Sequence, residues 1–328
     1  MTIWAICARL AMVVVTFTHT NGGVAAEWKP ERNVEIIVGS APGSGQDVTA
    51  RQMQKIWQDN GFLTVPQIIV NKPGAGGAIG WDYLARHAGD AHYLATVSPP
   101  MLANQILGKT RETLADITPL ALLNQTYVTF SVKSDHVLKS IGELTQRLTK
   151  DPFSVTFGFA TALGNAMHVT GAIYVKALGL DAREMKTVVF NASSTAMTNV
   201  MGGHVDVLIT TFSTIGSNAR AGKLRVLGVA APNRQVGTFA NVPTFRESGV
   251  DVVFSNWLGV VGAKSLTPSQ IAYWDSLLAK TTSSSDWQKA MADVQQEPTY
   301  LPSQEMKRFL EREREQYRAV LTELRLSK

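Results

Sequence analysis

The strongest constraint on this chain is a unit it uses repeatedly: a short apolar β-prone run, a glycine-rich turn, then an apolar stripe at helical spacing. Val34-Glu35-Ile36-Ile37-Val38 leads through the loop 39–46 to Val48, Ala50, Met53, Ile56 and Trp57, with Asp47 expected as the N-cap of the helix. Gln67-Ile68-Ile69-Val70 leads through residues 71–77 to a helix expected over 78–87, and a third strand is expected at 93–97. Strands joined in this way form a parallel sheet covered on both faces. After a long β-prone stretch at 120–132 the plan resumes, with strands at 154–157, 187–190, 205–209 and 224–229 and helices at about 165–178 and 194–202. A further β-prone stretch at 252–261 precedes helices at 268–281, 285–294 and 303–324. The last of these aligns Met306, Phe309, Leu310, Tyr317, Val320, Leu321 and Leu324 on one stripe, as expected of a helix packed back on the first half of the fold.

The fold class expected is therefore α/β, with two doubly wound lobes. Residues 27–125 and 255–328 form the first lobe, and residues 126–254 are inserted as the second. Two extended crossings, near 125–132 and 252–261, predict a hinge with a ligand cleft between the lobes.

Composition removes several other classes. With 45% hydrophobic and 17% charged residues over 328 positions, and no low-complexity run, the chain has enough apolar surface to fold. Arg9 precedes the apolar run 10–17, and Val24-Ala25-Ala26 leads into Glu27, which reads residues 1–26 as a signal peptide and the mature protein as periplasmic. The apolar run is far shorter than the roughly 20 residues that span a bilayer. The single cysteine, Cys7, lies ahead of that run, so disulfide, zinc and thiol-redox readings all fail. Without the leader the balance is 30 Lys and Arg against 26 Asp and Glu, with signs alternating as in Glu311-Arg312-Glu313-Arg314-Glu315. That mild, scattered excess is no nucleic-acid footprint, but it is compatible with a small anionic ligand.

The two glycine turns are the segments most suited to such a ligand. Ser40-Ala41-Pro42-Gly43-Ser44-Gly45-Gln46-Asp47 and Asn71-Lys72-Pro73-Gly74-Ala75-Gly76-Gly77-Ala78 each end a strand and open a helix, where free N–H groups and the positive helix end favour an anion. A dinucleotide reading fails because the glycine after Gly74 and Gly76, Gly80, falls one residue late, and Val97-Ser98-Pro99-Pro100 offers no acid for a ribose. Gly108-Lys109-Thr110 ends like a P-loop, but Ala103 stands where its first glycine belongs. No HExxH, GxSxG or usable thiol is present, and the chain reads as a non-enzyme without cofactor or metal. A periplasmic enzyme using His168 or Asp206 is the rival reading.

The ordered segments PGSGQD, NKPGAGGAIG, FGFATALGNAMH, VMGGHVDVLITT, GKLRVLGVAAPNR, NVPTFRESG and SNWLGVVGAKSLTP resemble the periplasmic solute receptors of tripartite tricarboxylate transporters, the TctC or Bug family, from about Val34 to Leu324. That resemblance implies a two-lobed type II periplasmic binding protein, a Venus flytrap. It would be a monomer that closes on a small organic carboxylate and delivers it to membrane transporter subunits or to a membrane sensor kinase. The family's first carboxylate loop falls on Pro42, Gly43, Ser44 and Asp47, and its second turn on Gly74, Ala75, Gly76 and Gly77. Ser98 is implied to line the same cleft. From the second lobe the resemblance implies Thr161 and Asn165 at the far end of the ligand, Asn191 with Ala192 in a neighbouring turn, and Asp206. Ser44 replaces a glycine, and Asn191-Ala192 replaces a Lys-Gly pair. The carboxylate grip is thus expected to be kept and the distal pocket altered, which leaves mono-, di-, tri- and aromatic carboxylates all open.

Overall fold

The computed structural model describes residues 27–160, 162–294 and 296–326, so residues 1–26, expected to be a signal peptide, and Thr161 lie outside the described residues. In chain order the first part comprises β1 (Val34–Val38), α1 (Gly45–Asp59), β2 (Gln67–Asn71), α2 (Ala78–Ala85), β3 (Tyr93–Val97), α3 (Pro100–Ile106) and β4 (Ile117–Lys133). Next come α4 (Ile141–Lys150), β5 (Phe157–Ala160), α5 (Ala166–Ala177), β6 (Thr187–Phe190), α6 (Ser193–Met201), β7 (Val207–Thr211), α7 (Phe212–Arg220) and β8 (Leu224–Val229). The chain closes with β9 (Ser255–Ala263), α8 (Pro268–Ser283), α9 (Ser285–Asp293), β10 (Glu297–Leu301) and α10 (Ser303–Glu323).

The strand order is β2-β1-β3-β9-β4-β7-β5-β6, with β10 and β8 also paired to β4. β1 pairs in parallel with β2 and β3, and β5 in parallel with β6 and β7, so each set brings its carboxyl ends to one edge. β4 joins the two sets. From Ile117 to Tyr127 it pairs with β9, and from Val128 onward with β7 and β8. The switch places Ser255 opposite Tyr127 and Thr211 opposite Val128, so the carboxyl end of β7 reaches the joint itself.

The joint differs from the expected pair of crossing strands in one respect. β4 is an unbroken strand, whereas residues 252–254 form no ladder and β9 starts at Ser255. The return is held instead by Ala230 N–H donating to Val128 O (2.8 Å) and Phe254 N–H donating to Ala230 O (2.9 Å). β5 likewise starts at Phe157, because residues 152–154 take a 3₁₀ turn capped by Asp151, whose Oδ1 accepts from Phe153 N–H at 3.0 Å. α3, α4, α7 and β10 have no counterpart in the sequence reading. α7, Phe-Ser-Thr-Ile-Gly-Ser-Asn-Ala-Arg, has strong helix formers only at its last two positions and a glycine in its middle, and Pro298 in β10 removes a ladder donor.

One core runs from Ile37, Trp81 and Leu102 across Val128 and Phe130 to Phe157, Val169 and Tyr174. α10 seals it with Met306, Leu310, Tyr317 and Leu321. That helix packs on the first set of elements, as its stripe predicts, but it also reaches α5, where Lys176 pairs with Glu323. A second core under α1, α8 and α9 is built on Trp57, Trp274 and Trp287. Trp57 Nε1–H donates to Thr281 Oγ1 at 2.7 Å, which satisfies a buried donor. No described helix is long and apolar enough to cross a membrane.

Candidate functional site

The first glycine turn is tied down by one carboxylate. Asp47 is 2% exposed. Its Oδ2 accepts from Gly43 N–H and from Arg51 Nε–H, both at 2.9 Å, and its Oδ1 accepts from Asn71 Nδ2–H at 2.9 Å. Asn71 also donates to Ser40 O at 3.0 Å, which couples the end of β2 to the first loop. The hydrogen bond from Arg51, with those from Gly43 and Asn71, outweighs burial and holds the Asp47 carboxyl at about 2. The helix N-cap is Ser44, not Asp47: its Oγ accepts from Asp47 N–H, and it lies 2.6 Å from Ser40 Oγ. Asp47 therefore shapes the loop from beneath, with both carboxylate oxygens already engaged. Its charge would in any case oppose direct contact with an anion.

The second turn has four successive residues at positive φ: Gly74 (131°), Ala75 (46°), Gly76 (64°) and Gly77 (99°). Such a run is strained at Ala75 and needs outside support. Buried Asn104 of α3 supplies it, with Nδ2 donating to Ala75 O at 2.8 Å and to Gly76 O at 3.2 Å. A Cβ on Gly76 would lie 2.5 Å from that same Nδ2, so the close approach requires glycine. The two turns also touch, since a Cβ on Gly39 would lie 3.0 Å from Gly77 Cα. Among the described residues, the N–H groups of Gly45, Gln46, Ala75 and Gly76 have no acceptor within the chain. They lie in exposed or half-buried residues at the amino ends of helical turns.

Ser98, just past β3, joins this edge through Gln46: Gln46 Nε2–H donates to Ser98 Oγ at 2.9 Å, and Thr96 Oγ1–H donates to Gln46 Oε1 at 3.0 Å. Pro42, Gly43, Ser44, Ala75, Gly76, Gly77 and Ser98 thus lie at the carboxyl ends of β1, β2 and β3, on one edge of the first sheet.

Across the joint the second sheet presents the carboxyl ends of β5, β6 and β7. Asn165 caps α5, its Oδ1 accepting from His168 N–H at 3.0 Å while its Nδ2 donates to Ala160 O at 2.6 Å. Asn191 and Ala192, both exposed, follow β6 and lead into α6. His168 is buried against Phe159, its Nδ1 accepting from Gly164 N–H at 2.9 Å. Burial pushes its imidazole down to about 4, so it is neutral and structural.

Asp206 is a correction. It precedes β7, while the loops above follow β5 and β6, and the parallel pairing puts it at the opposite end of the sheet. There it closes a structural tie, Oδ2 accepting from Thr156 N–H at 2.7 Å with His136 Nε2 at 3.2 Å from Oδ1. The carboxyl end of β7 carries a feature absent from the sequence reading, the hydroxyls of Thr211, Ser213 and Thr214, with Thr211 Oγ1 2.9 Å from Ser213 Oγ and 3.2 Å from Thr214 Oγ1. The signal for it lies in Leu208-Ile209-Thr210-Thr211, where β-prone residues continue past the strand end expected at 209. Ser213 and the first-turn residues Gly43 and Gly45 line one groove of about 580 Å³, so the first turn faces the segment just past β7. The groove continues between α1 and α9 along Val48, Ile56 and Met291. Among the described residues, no group of three or more His, Cys, Asp or Glu side chains could hold a metal ion.

BugT of Bordetella pertussis is 28% identical over 271 residues, covering 80% of this chain and 81% of that protein. The solved TctC solute binding protein from Polaromonas has 23% identity, covers 90% of this chain and 99% of its own, and superposes with a TM-score of 0.78. The R. palustris protein Rpa4515, solved with adipate, has 20% identity, covers 91% and 99%, and gives a TM-score of 0.74. The two-lobed fold of these proteins is the fold of this chain. The sequence model of the tripartite tricarboxylate transporter family receptors, TctC, matches residues 36–326, and this chain belongs to that family.

Proposed function

We propose that the protein is an exported receptor that binds a small organic carboxylate reversibly and hands it to a membrane transporter of the tripartite tricarboxylate type. The observation that carries this reading is the pair of glycine turns, whose unpartnered N–H groups share one sheet edge, with the first turn lining a groove together with Ser213 just past β7. An ionised carboxylate is an acceptor-only group, and such an array of neutral donors replaces its water shell without a basic residue. Three charge-assisted hydrogen bonds at about 1.5–3 kcal/mol each, less the cost of closure, correspond to about micromolar affinity. Adipate in the R. palustris protein supports this ligand class.

Residues 27–125 with 255–328 form one lobe and residues 126–254 the other, with closure by bending where β4 changes partners between Tyr127 and Val128. Residues 1–26 direct export to the periplasm, and the mature protein acts as a monomer. Binding without turnover is supported by the engagement of His168 and Asp206 in structural hydrogen bonds. Native mass spectrometry of the freshly purified mature protein, followed by a thermal-shift screen of mono-, di-, tri- and aromatic carboxylates, tests the reading. A co-purified acid, or a saturable shift with at least one acid, is expected. No shift with any of them would overturn it.

A further inference from the structure

We infer that Gln46 sets the direction of a hydrogen-bond relay, Thr96 to Gln46 to Ser98, that makes the Ser98 hydroxyl a donor to the ligand and so selects ionised carboxylates over the matching carboxamides. The inference rests on the carboxylate-receptor reading. Thr96 is 1% exposed and has a single hydroxyl proton. Gln46 Oε1 lies 3.0 Å from its Oγ1, while the other acceptor, Ile37 O, lies at 3.5 Å, beyond a good O–H···O distance. The proton therefore goes to Gln46, which fixes the amide with its oxygen toward Thr96 and its nitrogen toward Ser98. Gln46 Nε2–H then donates to Ser98 Oγ at 2.9 Å. Among the described residues Ser98 Oγ has no other partner, so its own proton is free, and Ser98 is half-buried at the edge shared with both glycine turns. A hydroxyl that already accepts from Gln46 presents its proton to the cleft. A carboxylate takes that proton, whereas the NH₂ group of an amide meets it donor to donor. Gln46 is thus a positioning residue acting through Ser98.

Two measurements test this. A neutron structure of the deuterated protein is expected to show deuterium on Gln46 Nε2 directed at Ser98 Oγ. Deuterium on Ser98 Oγ directed at Gln46 would overturn the relay whether or not any acid binds. Calorimetry with adipate, succinate and benzoate then compares wild type with Gln46→Glu and Gln46→Leu, both checked for an unchanged circular dichroism spectrum. Gln46→Glu makes the residue accept the Ser98 proton and is expected to weaken binding by about 10- to 100-fold. Gln46→Leu leaves Ser98 free to donate and is expected to cost about threefold or less. Lowering the pH from about 7.5 to about 5 should narrow the Gln46→Glu gap, because the introduced carboxyl, once protonated, donates as the amide does. Equal losses in the two variants, or a gap independent of pH, would refute the relay. Failure of the wild type to bind any acid would refute the receptor reading and leave the neutron result to judge the relay.

Discussion

Replacing Asp47 by Asn isolates the carboxylate that organises the first turn. The side chain keeps its shape, but an amide nitrogen now faces one of three donors, Gly43 N–H, Arg51 Nε–H or Asn71 Nδ2–H. The lowering of the carboxyl from its usual 3.8 to about 2 sets the scale, at about 2 kcal/mol of folding stability. The side chain is buried, although its partner Arg51 is half exposed, so this is an upper figure. A carboxyl with a lowered folded pKa stabilises fully above its unfolded value near 3.8, and that contribution is lost as the pH falls through about 2. Denaturant unfolding of wild type and Asp47→Asn should therefore differ by about 2 kcal/mol at neutral pH, and the difference should shrink between about pH 4 and about pH 2. Carboxylate affinity should fall along with stability, since the loop loses its brace. A difference that is negligible at neutral pH, or that stays constant down to the acid limit, would refute the assignment of Asp47 as the loop's organising charge.

Gly76→Ala should cost about 1–3 kcal/mol and abolish carboxylate binding in a thermal-shift assay, because the new Cβ meets Asn104 at 2.5 Å in a left-handed conformation; wild-type melting and affinity would contradict the geometry. His168 titrates near 4 in the fold against 6.5 when unfolded, so the unfolded chain binds the extra proton and stability drops by about 3 kcal/mol as the pH falls from about 6.5 to about 4. His168→Gln should flatten denaturation curves in that window and leave the window near Asp47 unchanged. Burial raises Glu313 to about 7 against the 2.9 Å hydrogen bond donated by Trp257 Nε1–H, so its cost to the fold is absent below about pH 4.5 and full above about pH 7. Glu313→Gln should melt higher than wild type at about pH 8 and level with it at about pH 4; a variant that melts lower at alkaline pH would refute this.

The alternation of β-prone runs, glycine turns and apolar helical stripes was legible because periods of two and about three and a half residues are local and report which face is buried. That sufficed for β1, β2, β3, β6 and β8, for the stripe of α10, and for the two turns as neighbours at one edge. It failed wherever a partner far along the chain decides. Asp47 looks like a ligand residue until distant Asn71 joins neighbouring Arg51 in taking its oxygens, and Asp206 looks like a site residue until the parallel register of β5 and β7 puts it at the far end of the sheet. Gln46, inside PGSGQD, and Asn104 receive no role from the sequence; they matter through Ser98, 52 positions away, and Ala75, 29 positions away. The chain's order of residues thus decides what each segment forms and where neutral donors gather. The packing of the two sheets decides which donors remain free, because a hydrogen-bonding group is available to a ligand only when no distant side chain has already taken it.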